Sequence, residues 1–166
     1  MPDSALLKRT ELPRPNVSAE QAAGILKEYY GLEGDLKELG SQQDRNYRID
    51  TGEAFYVLKI CRAEYATIEP AAQNAAMRHL GTLADMPRIP EPILTEGGED
   101  ILVLTIDDED YQVRLLTYLD GEPLTQRKYL APQVVAELGG LTARIALGLR
   151  DFAHPGLDRE LQWDLR

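Results

Sequence analysis

The first regular pattern along the chain is a stripe of apolar residues at helical spacing. Between Ala22 and Tyr29, apolar side chains recur three and four positions apart, which is typical of one face of an α-helix. Ser18 and Gln21 fit the capping box, in which two polar side chains bind the first free backbone amides of a helix. Gly31 is placed to end the helix. The pattern therefore predicts a helix that begins after Ser18.

Short runs rich in apolar, β-branched and aromatic residues follow, separated by turn-forming residues. The predicted strands cover residues 36–39, 46–49, 55–60, 93–95, 101–104 and 111–116. Several connections, such as residues 50–53, read as tight turns between neighbouring strands. Because strands joined by short hairpins must be antiparallel, we expect an antiparallel sheet.

Two further helices are predicted, each opened by a proline. Pro70 and Pro132 suit the first turn of a helix. The first of these helices runs to about Leu80, and the second carries an apolar stripe from Val135 to Leu149. The order of elements predicts an α+β fold: a curled antiparallel sheet of about five strands, one helix inserted after the third strand, and further helices at the C-terminal end.

The division of the chain follows from the same patterns. Its 166 residues are roughly the length of one domain. Residues 1–17 contain three prolines and no periodicity, so we expect a lead-in segment. A small lobe is predicted over residues 18–119, and a hinge with the first helices of a truncated, larger lobe over residues 120–166. The chain stops at Arg166 inside an apparent structural element, and we therefore expect it to belong to a longer polypeptide.

Charge and composition narrow the range of functions. The net charge of −10 disfavours binding to a nucleic-acid backbone or an anionic membrane, although a local basic pocket for a small anion is compatible with it. Cys61 is the one cysteine, and its apolar neighbours predict a buried thiol rather than a nucleophile. Two histidines are too few for a multi-histidine metal site. Without a signal peptide or a membrane-spanning run, we expect a cytoplasmic protein.

Lys59 is the most informative position for chemistry. Side chains alternate along a strand, so Phe55, Val57, Lys59 and Cys61 share one face, and both faces are otherwise apolar. A lysine in this place either extends from the edge of a sheet into water or points into a cleft towards an anion. The polar turn over residues 40–44, one hairpin earlier, is either an ordinary connection or a loop whose backbone amides hold phosphate oxygens.

The order of these features resembles the small lobe of a kinase. A polar turn, a hairpin, a strand lysine, a helix and a strand that ends in a turn follow one another. The chain is similar to the aminoglycoside phosphotransferase and choline-kinase-like superfamily, with the hydroxylysine-kinase-like members closest. The resemblance is carried by LGSQQDRNYRI (39–49), YVLKI (56–60), QNAAMRHL (73–80), PEP (90–92), RLLTYLDG (114–121) and residues 152–165.

The resemblance implies a nucleotide site with ATP as cofactor. Lys59 matches the family lysine that holds the α- and β-phosphates, residues 40–42 match the loop that covers the phosphates, and Val57 matches a position that lines the adenine pocket. The backbone of Thr117 and Leu119 matches the inter-lobe hinge that meets the adenine edge. The residues implied to bind the cofactor are Gly40, Ser41, Gln42, Val57, Lys59, Gln73, Thr117 and Leu119.

Two departures from the family pattern are visible. The family often has a glutamate on the inserted helix that pairs with the strand lysine, whereas this chain has Gln73 there and Glu69 one turn earlier. Either Gln73 contacts Lys59 without supplying a charge, or Glu69 takes that place, or Gln73 faces solvent. The chain also has no loop with the catalytic aspartate and metal-binding residues of phosphoryl transfer. The resemblance places these groups and the Mg²⁺ ligands in a missing large lobe, so we expect no catalytic residue here and no turnover by this chain alone.

Three hypotheses about function compete. The first is the nucleotide-binding lobe of an ATP-dependent small-molecule phosphotransferase that acts on a hydroxyl of an amine or amino-acid-like acceptor, with the rest of the parent polypeptide as partner. The second is a non-catalytic kinase-like module for regulation or docking, for example one fused to an aminotransferase, and the missing charge at Gln73 slightly favours it. The third is an unrelated α+β domain, which predicts that Lys59 lies at a surface edge, far from residues 40–42.

Overall fold

A computed structural model describes residues 13–62 and 67–158 of the protein. The helices in this part of the chain are α1 (Ala19–Tyr30), α2 (Ile68–Gly81) and α3 (Pro132–Gly148). The strands are β1 (Asp35–Leu39), β2 (Arg45–Asp50), β3 (Phe55–Arg62), β4 (Pro92–Ile93), β5 (Leu102–Ile106) and β6 (Glu109–Thr117), and short 3-10 turns span Leu124–Gln126 and Pro155–Leu157. The predicted α+β class is confirmed, and each predicted strand has a counterpart.

The strands form one antiparallel sheet in the order β1-β2-β3-β6-β4. The fifth strand, β5, also pairs with β6, which brings the sheet to six strands. Strands β4 and β5 pair with successive stretches of the same edge of β6, and the sheet has six strands where about five were predicted. Strand β3 lies inside the sheet between β2 and β6.

The hydrophobic core lies between one face of the sheet and helix α1. Leu58 and Ile60 of β3 and Leu26 of α1 are fully buried there. The predicted capping box is present, since Gln21 donates its backbone N–H to the Ser18 hydroxyl (3.1 Å) and Ser18 donates its own to the Gln21 side chain (2.8 Å). The core contains one face of α1 and alternate residues of the strands. The side chains between them project from the opposite face of the sheet, outside this core.

The described end of the predicted lead-in segment, residues 13–17, packs against the sheet. Val17 is buried, and its carbonyl accepts a hydrogen bond from the Tyr47 hydroxyl (2.6 Å). Arg62 donates to the carbonyl of Pro13 (2.8 Å) and Arg45 to the carbonyl of Pro15 (3.0 Å). An extended proline-containing segment has no hydrophobic periodicity, which is why the sequence pattern gave no sign of this packing. Residues 1–12 lie outside the described residues.

Helix α2 is joined to the segment that follows the sheet. His79 of α2 is hydrogen-bonded through Nε2 to the carbonyl of Gly148 at the end of α3 (2.9 Å). Gly156, in the second 3-10 turn, is buried against the first turn of α2. The end of α3 and the second 3-10 turn therefore both contact α2, the helix inserted after β3.

Helix α3 has the predicted apolar stripe, but none of its residues is buried. Exposed positions on it include Val134, Val135 and Leu138. In the described part of the chain, every helix is too short or too polar to cross a membrane. The last predicted segment, from residue 159 to Arg166, lies outside the described residues.

Candidate functional site

A row of polar side chains crosses the sheet on the face opposite the core. The strand register places Asn46 of β2 opposite Lys59 of β3, and Lys59 opposite Arg114 of β6. Residues directly opposite one another in an antiparallel sheet project to the same side. The row therefore brings two cations and one amide together at the middle of the sheet.

The ammonium group of Lys59 is held within this face. Its Nζ lies 3.0 Å from Oδ2 of Asp44 and donates to Oδ1 of Asn46 (3.1 Å). The Lys59 side chain is 22% exposed and lies on an inner strand, so the alternative of a lysine at a sheet edge is wrong. The third hypothesis, which required a distant edge lysine, fails with it.

The turn between β1 and β2 meets Lys59 through its last residue. The Ser41 hydroxyl accepts the backbone N–H of Asp44 (3.2 Å), and the carboxylate of Asp44 reaches the Lys59 ammonium. Gly40 and Gln42 are exposed in the same turn, and nothing lies within 4 Å of where a Cβ on Gly40 would stand. The predicted proximity of this turn to Lys59 is thus present, whereas nucleotide binding by these residues stays a prediction.

The predicted hinge lies at one end of the same face. Val57 is half-buried beside Leu116, its neighbour on β6. The N–H of Thr117 donates to the carbonyl of Glu91 (2.9 Å), and the hydroxyl of Thr117 accepts the N–H of Glu91 (2.9 Å). Leu119, two residues further on, is 37% exposed. Val57, Thr117 and Leu119 therefore lie towards one end of the sheet, with Lys59 further along β3.

Arg114 connects the sheet to helix α2. It is 4% exposed and donates through Nη1 to Oδ1 of Asn74 (2.7 Å) and to the carbonyl of Pro70 (3.2 Å), while Nη2 donates to the side chain of Gln73. Burial lowers the pKa of the Arg114 guanidinium, and nearby negative charges oppose that change. The guanidinium thus anchors α2 to the polar face of the sheet.

The structure pairs Gln73 with Arg114, whereas contact with Lys59 was one of the possibilities that the sequence left open. Gln73 is exposed to solvent on α2, and its side-chain oxygen accepts a hydrogen bond from Arg114 of the sheet. A carboxylate that meets the Lys59 ammonium in the described chain belongs to Asp44, a residue that the family pattern did not suggest. Sequence reasoning gave no role to the side chains of Asp44, Asn46 or Arg114, because Asp44 was placed in a turn and the partners of Asn46 and Arg114 depend on the strand register.

Cys61 shares the polar face but is not a reactive group. The thiol is buried and lies 3.5 Å from the carbonyl of Gln112. Burial raises the pKa of the Cys61 thiol to about 11, with the negative charge of Asp44 adding to the rise. The predicted buried thiol is confirmed. Within residues 13–62 and 67–158, no three His, Cys, Asp or Glu side chains cluster closely enough to hold a metal ion.

The chain is similar to a known protein family and to several known proteins. The profile of the phosphotransferase enzyme family (APH) matches residues 35–166. Hydroxylysine kinase of Xenopus laevis is 30% identical over 156 residues, which cover 86% of this chain and 41% of the relative. Hydroxylysine kinase of Mus musculus is 28% identical over 159 residues, which cover 87% of this chain and 42% of the relative. The chain thus spans less than half the length of these curated relatives.

Solved structures share the fold at lower sequence identity. An amicoumacin kinase in complex with AMP-PNP superposes with a TM-score of 0.68 at 16% identity, covering 90% of this chain and 46% of the other. A microcompartment-associated aminopropanol kinase gives a TM-score of 0.68 at 20% identity, covering 89% of this chain and 45% of the other. At these identities the similarity establishes a kinase-like fold.

Proposed function

The chain belongs to the phosphotransferase enzyme family (APH), and from this premise we propose that it is the nucleotide-binding lobe of an ATP-dependent small-molecule kinase. The observation that carries the proposal is the Lys59 ammonium, fixed on the inner strand of the sheet beside the turn between β1 and β2. A fixed cation next to a short, glycine-containing turn suits the binding of phosphate oxygens.

The residues present fit ATP at this face. Lys59 would hold its phosphates, and residues 40–42 would cover them, with open space at Gly40 that allows close approach of the backbone. Val57 would line the adenine pocket, and the backbone of Thr117 and Leu119 would meet the adenine edge. When bound, ATP supplies the phosphoryl group that is transferred. We propose that the Mg²⁺ ligands and the catalytic aspartate belong to parts of the protein outside the described residues.

The acceptor is proposed from the relatives. Relatives at 27–30% identity are named hydroxylysine kinases, and one structural neighbour is an aminopropanol kinase. Each of these names refers to a small amine that carries a hydroxyl group. We therefore propose a hydroxyl of an amine or amino-acid-like molecule as acceptor, with the remainder of the parent polypeptide covering the exposed apolar stripe of α3.

The competing proposal is a non-catalytic kinase-like module, which the missing charge at Gln73 slightly favoured. Its argument was that Gln73 cannot supply the negative charge that a phosphate-binding lysine needs beside it. Asp44 supplies such a charge from the turn between β1 and β2. The geometry at Lys59 is therefore compatible with an active kinase, which is the reading we favour.

Titration of the complete gene product with ATP and Mg²⁺ by calorimetry tests the proposed function. We expect Lys59→Ala to weaken ATP binding at least about tenfold, because a charge-assisted hydrogen bond to phosphate is lost. Lys27→Ala is the matched control: it removes a lysine from α1, where the ammonium pairs with Glu33 in solvent, and should bind ATP as the wild type does. Wild-type affinity in Lys59→Ala would contradict the proposal.

A further inference from the structure

We propose that Asp44 is the positioning residue that orients Lys59 towards the nucleotide, in the role for which the family often uses a glutamate on the inserted helix. The proposal rests on the proposed function, since it assumes that Lys59 meets the phosphates. Nothing in the sequence pattern pointed to Asp44. It follows from the contacts of Lys59, of Arg114 and of the turn between β1 and β2.

The position of Asp44 along the sheet is the first argument. Asp44 directly precedes β2, whose first residue, Arg45, pairs with Ile60, so Asp44 lies towards the C-terminal end of β3. The hinge lies at the opposite end of β3, where Tyr118 donates its backbone N–H to the carbonyl of Phe55 (2.9 Å). Asp44 therefore reaches Lys59 from the side away from the hinge. From there it can hold the ammonium without lying between Lys59 and the adenine pocket.

The donors of the ammonium group are the second argument. A lysine ammonium has three N–H donors. In the described chain, its partners are the carboxylate of Asp44 and the amide oxygen of Asn46, at 3.0 and 3.1 Å. Two directed contacts fix the side chain and leave one donor for an added anion. Lys59 is thus oriented before the nucleotide arrives, which lowers the entropic cost of binding.

The backbone of Asp44 is also held on both sides. Its N–H donates to the Ser41 hydroxyl (3.2 Å), and its carbonyl accepts from Nε of Arg14 (3.2 Å). Arg14 in turn is joined to Glu38, which also pairs with Arg45. The packed segment of residues 13–17 therefore braces the turn that carries the carboxylate. Such a supported side chain is pre-organised rather than a chance contact at the surface.

Helix α2 has a different attachment. Gln73 and Asn74 of α2 both accept hydrogen bonds from Arg114. In kinases with a helix glutamate, one lysine–glutamate pair both aligns the helix and orients the lysine. Here these two tasks are separated: Arg114 aligns α2, and Asp44 orients Lys59. The carboxylate also lies close to two cations that face each other across β3 and β6, and so reduces their repulsion.

Calorimetric titration of the complete gene product with ATP and Mg²⁺ tests this assignment. We expect Asp44→Asn to weaken ATP binding about tenfold and to raise the KM for ATP in the kinase assay, and Asp44→Glu to recover affinity to within about threefold of the wild type. In a Lys59→Met background, Asp44→Asn should have no further effect, because its action passes through the lysine. Asp108→Asn, at the tip of the turn between β5 and β6, is the matched control for the loss of charge and should bind ATP normally.

The outcomes separate this proposal from the proposed function. If Lys59→Met weakens ATP binding while Asp44→Asn does not, the assignment of Asp44 is wrong and the nucleotide site stands. If Asp44→Asn binds ATP more tightly than the wild type, the carboxylate competes with phosphate and the proposal is overturned. If Asp44→Asn lowers ATP affinity equally in the wild-type and Lys59→Met backgrounds, the role of Asp44 is structural and the proposal is overturned as well. If ATP does not bind the wild type, both fail. Thermal unfolding identifies a variant that does not fold, and Asp44→Ser then takes the place of Asp44→Asn.

Discussion

Replacing Gly156 with alanine is expected to lower the free energy of unfolding by about 3 kcal/mol, near the upper end of what overpacking costs. An added Cβ would lie 2.8 Å from the carbonyl carbon of Ile68, 3.0 Å from the Cβ of Ala72, and closer still to the Ile68 carbonyl oxygen. Backbone atoms in the first turn of α2 cannot move aside without disturbing the helix. For a chain of this size the change corresponds to a fall of roughly 6–12 °C in Tm, measured by circular dichroism.

Gly139→Ala is the control of opposite sign for this prediction. Gly139 lies inside α3, and nothing stands within 4 Å of where its Cβ would be. Alanine there should stabilise the helix by about 0.5–1 kcal/mol, because glycine loses more backbone entropy on folding. If Gly156→Ala unfolds at the wild-type temperature, the close packing of the second 3-10 turn against α2 is wrong.

The second large effect is expected for Arg114→Met. Methionine fills much of the same volume but removes the donors to Asn74, Gln73 and the carbonyl of Pro70. Asn74 is fully buried, and a buried polar group that loses its partner bears its full desolvation cost. We expect a loss of about 3 kcal/mol in the free energy of unfolding, measured by chemical denaturation.

Arg150→Met provides the matched comparison for Arg114. Arg150 pairs with Asp151 in solvent, and exposed ion pairs contribute about 0–1 kcal/mol. The two variants make the same chemical change, so a difference between them measures burial and hydrogen bonding. Equal stability of the two proteins would mean that Arg114 does not anchor α2.

The elements of the fold could be predicted because their signals are local. The capping box at Ser18 and the left-handed Gly31 after Tyr30 are read from a few neighbouring residues, and both are present. The face of β3 that carries Lys59 could also be predicted, since strand alternation alone places Val57 and Lys59 on the same side of the sheet. The packing of residues 13–17 against the sheet was not predicted, because this segment has no periodic pattern of hydrophobic residues.

The partners of the charged groups could not be predicted from the sequence. Which residue stands opposite Lys59 depends on the register of β2 and β6, and β6 follows β3 only after a helix and two other strands. The family pattern left open whether Gln73 contacts Lys59 or faces solvent, and its hydrogen bond to Arg114, a residue 41 positions away, has no local sequence signal. Asp44 was assigned to a turn, and no sequence pattern indicates that the side chain of a turn residue contacts a lysine on a later strand.

The most direct test of the central claim uses an ATP analogue with a reactive acyl-phosphate group, which acylates a lysine amine held beside its phosphates. The complete gene product is treated with the analogue, digested and examined by mass spectrometry, with and without excess ATP. We predict that Lys59 is the acylated lysine and that ATP suppresses its modification. Acylation of other lysines in an ATP-protected manner, with Lys59 left unmodified, would contradict the account.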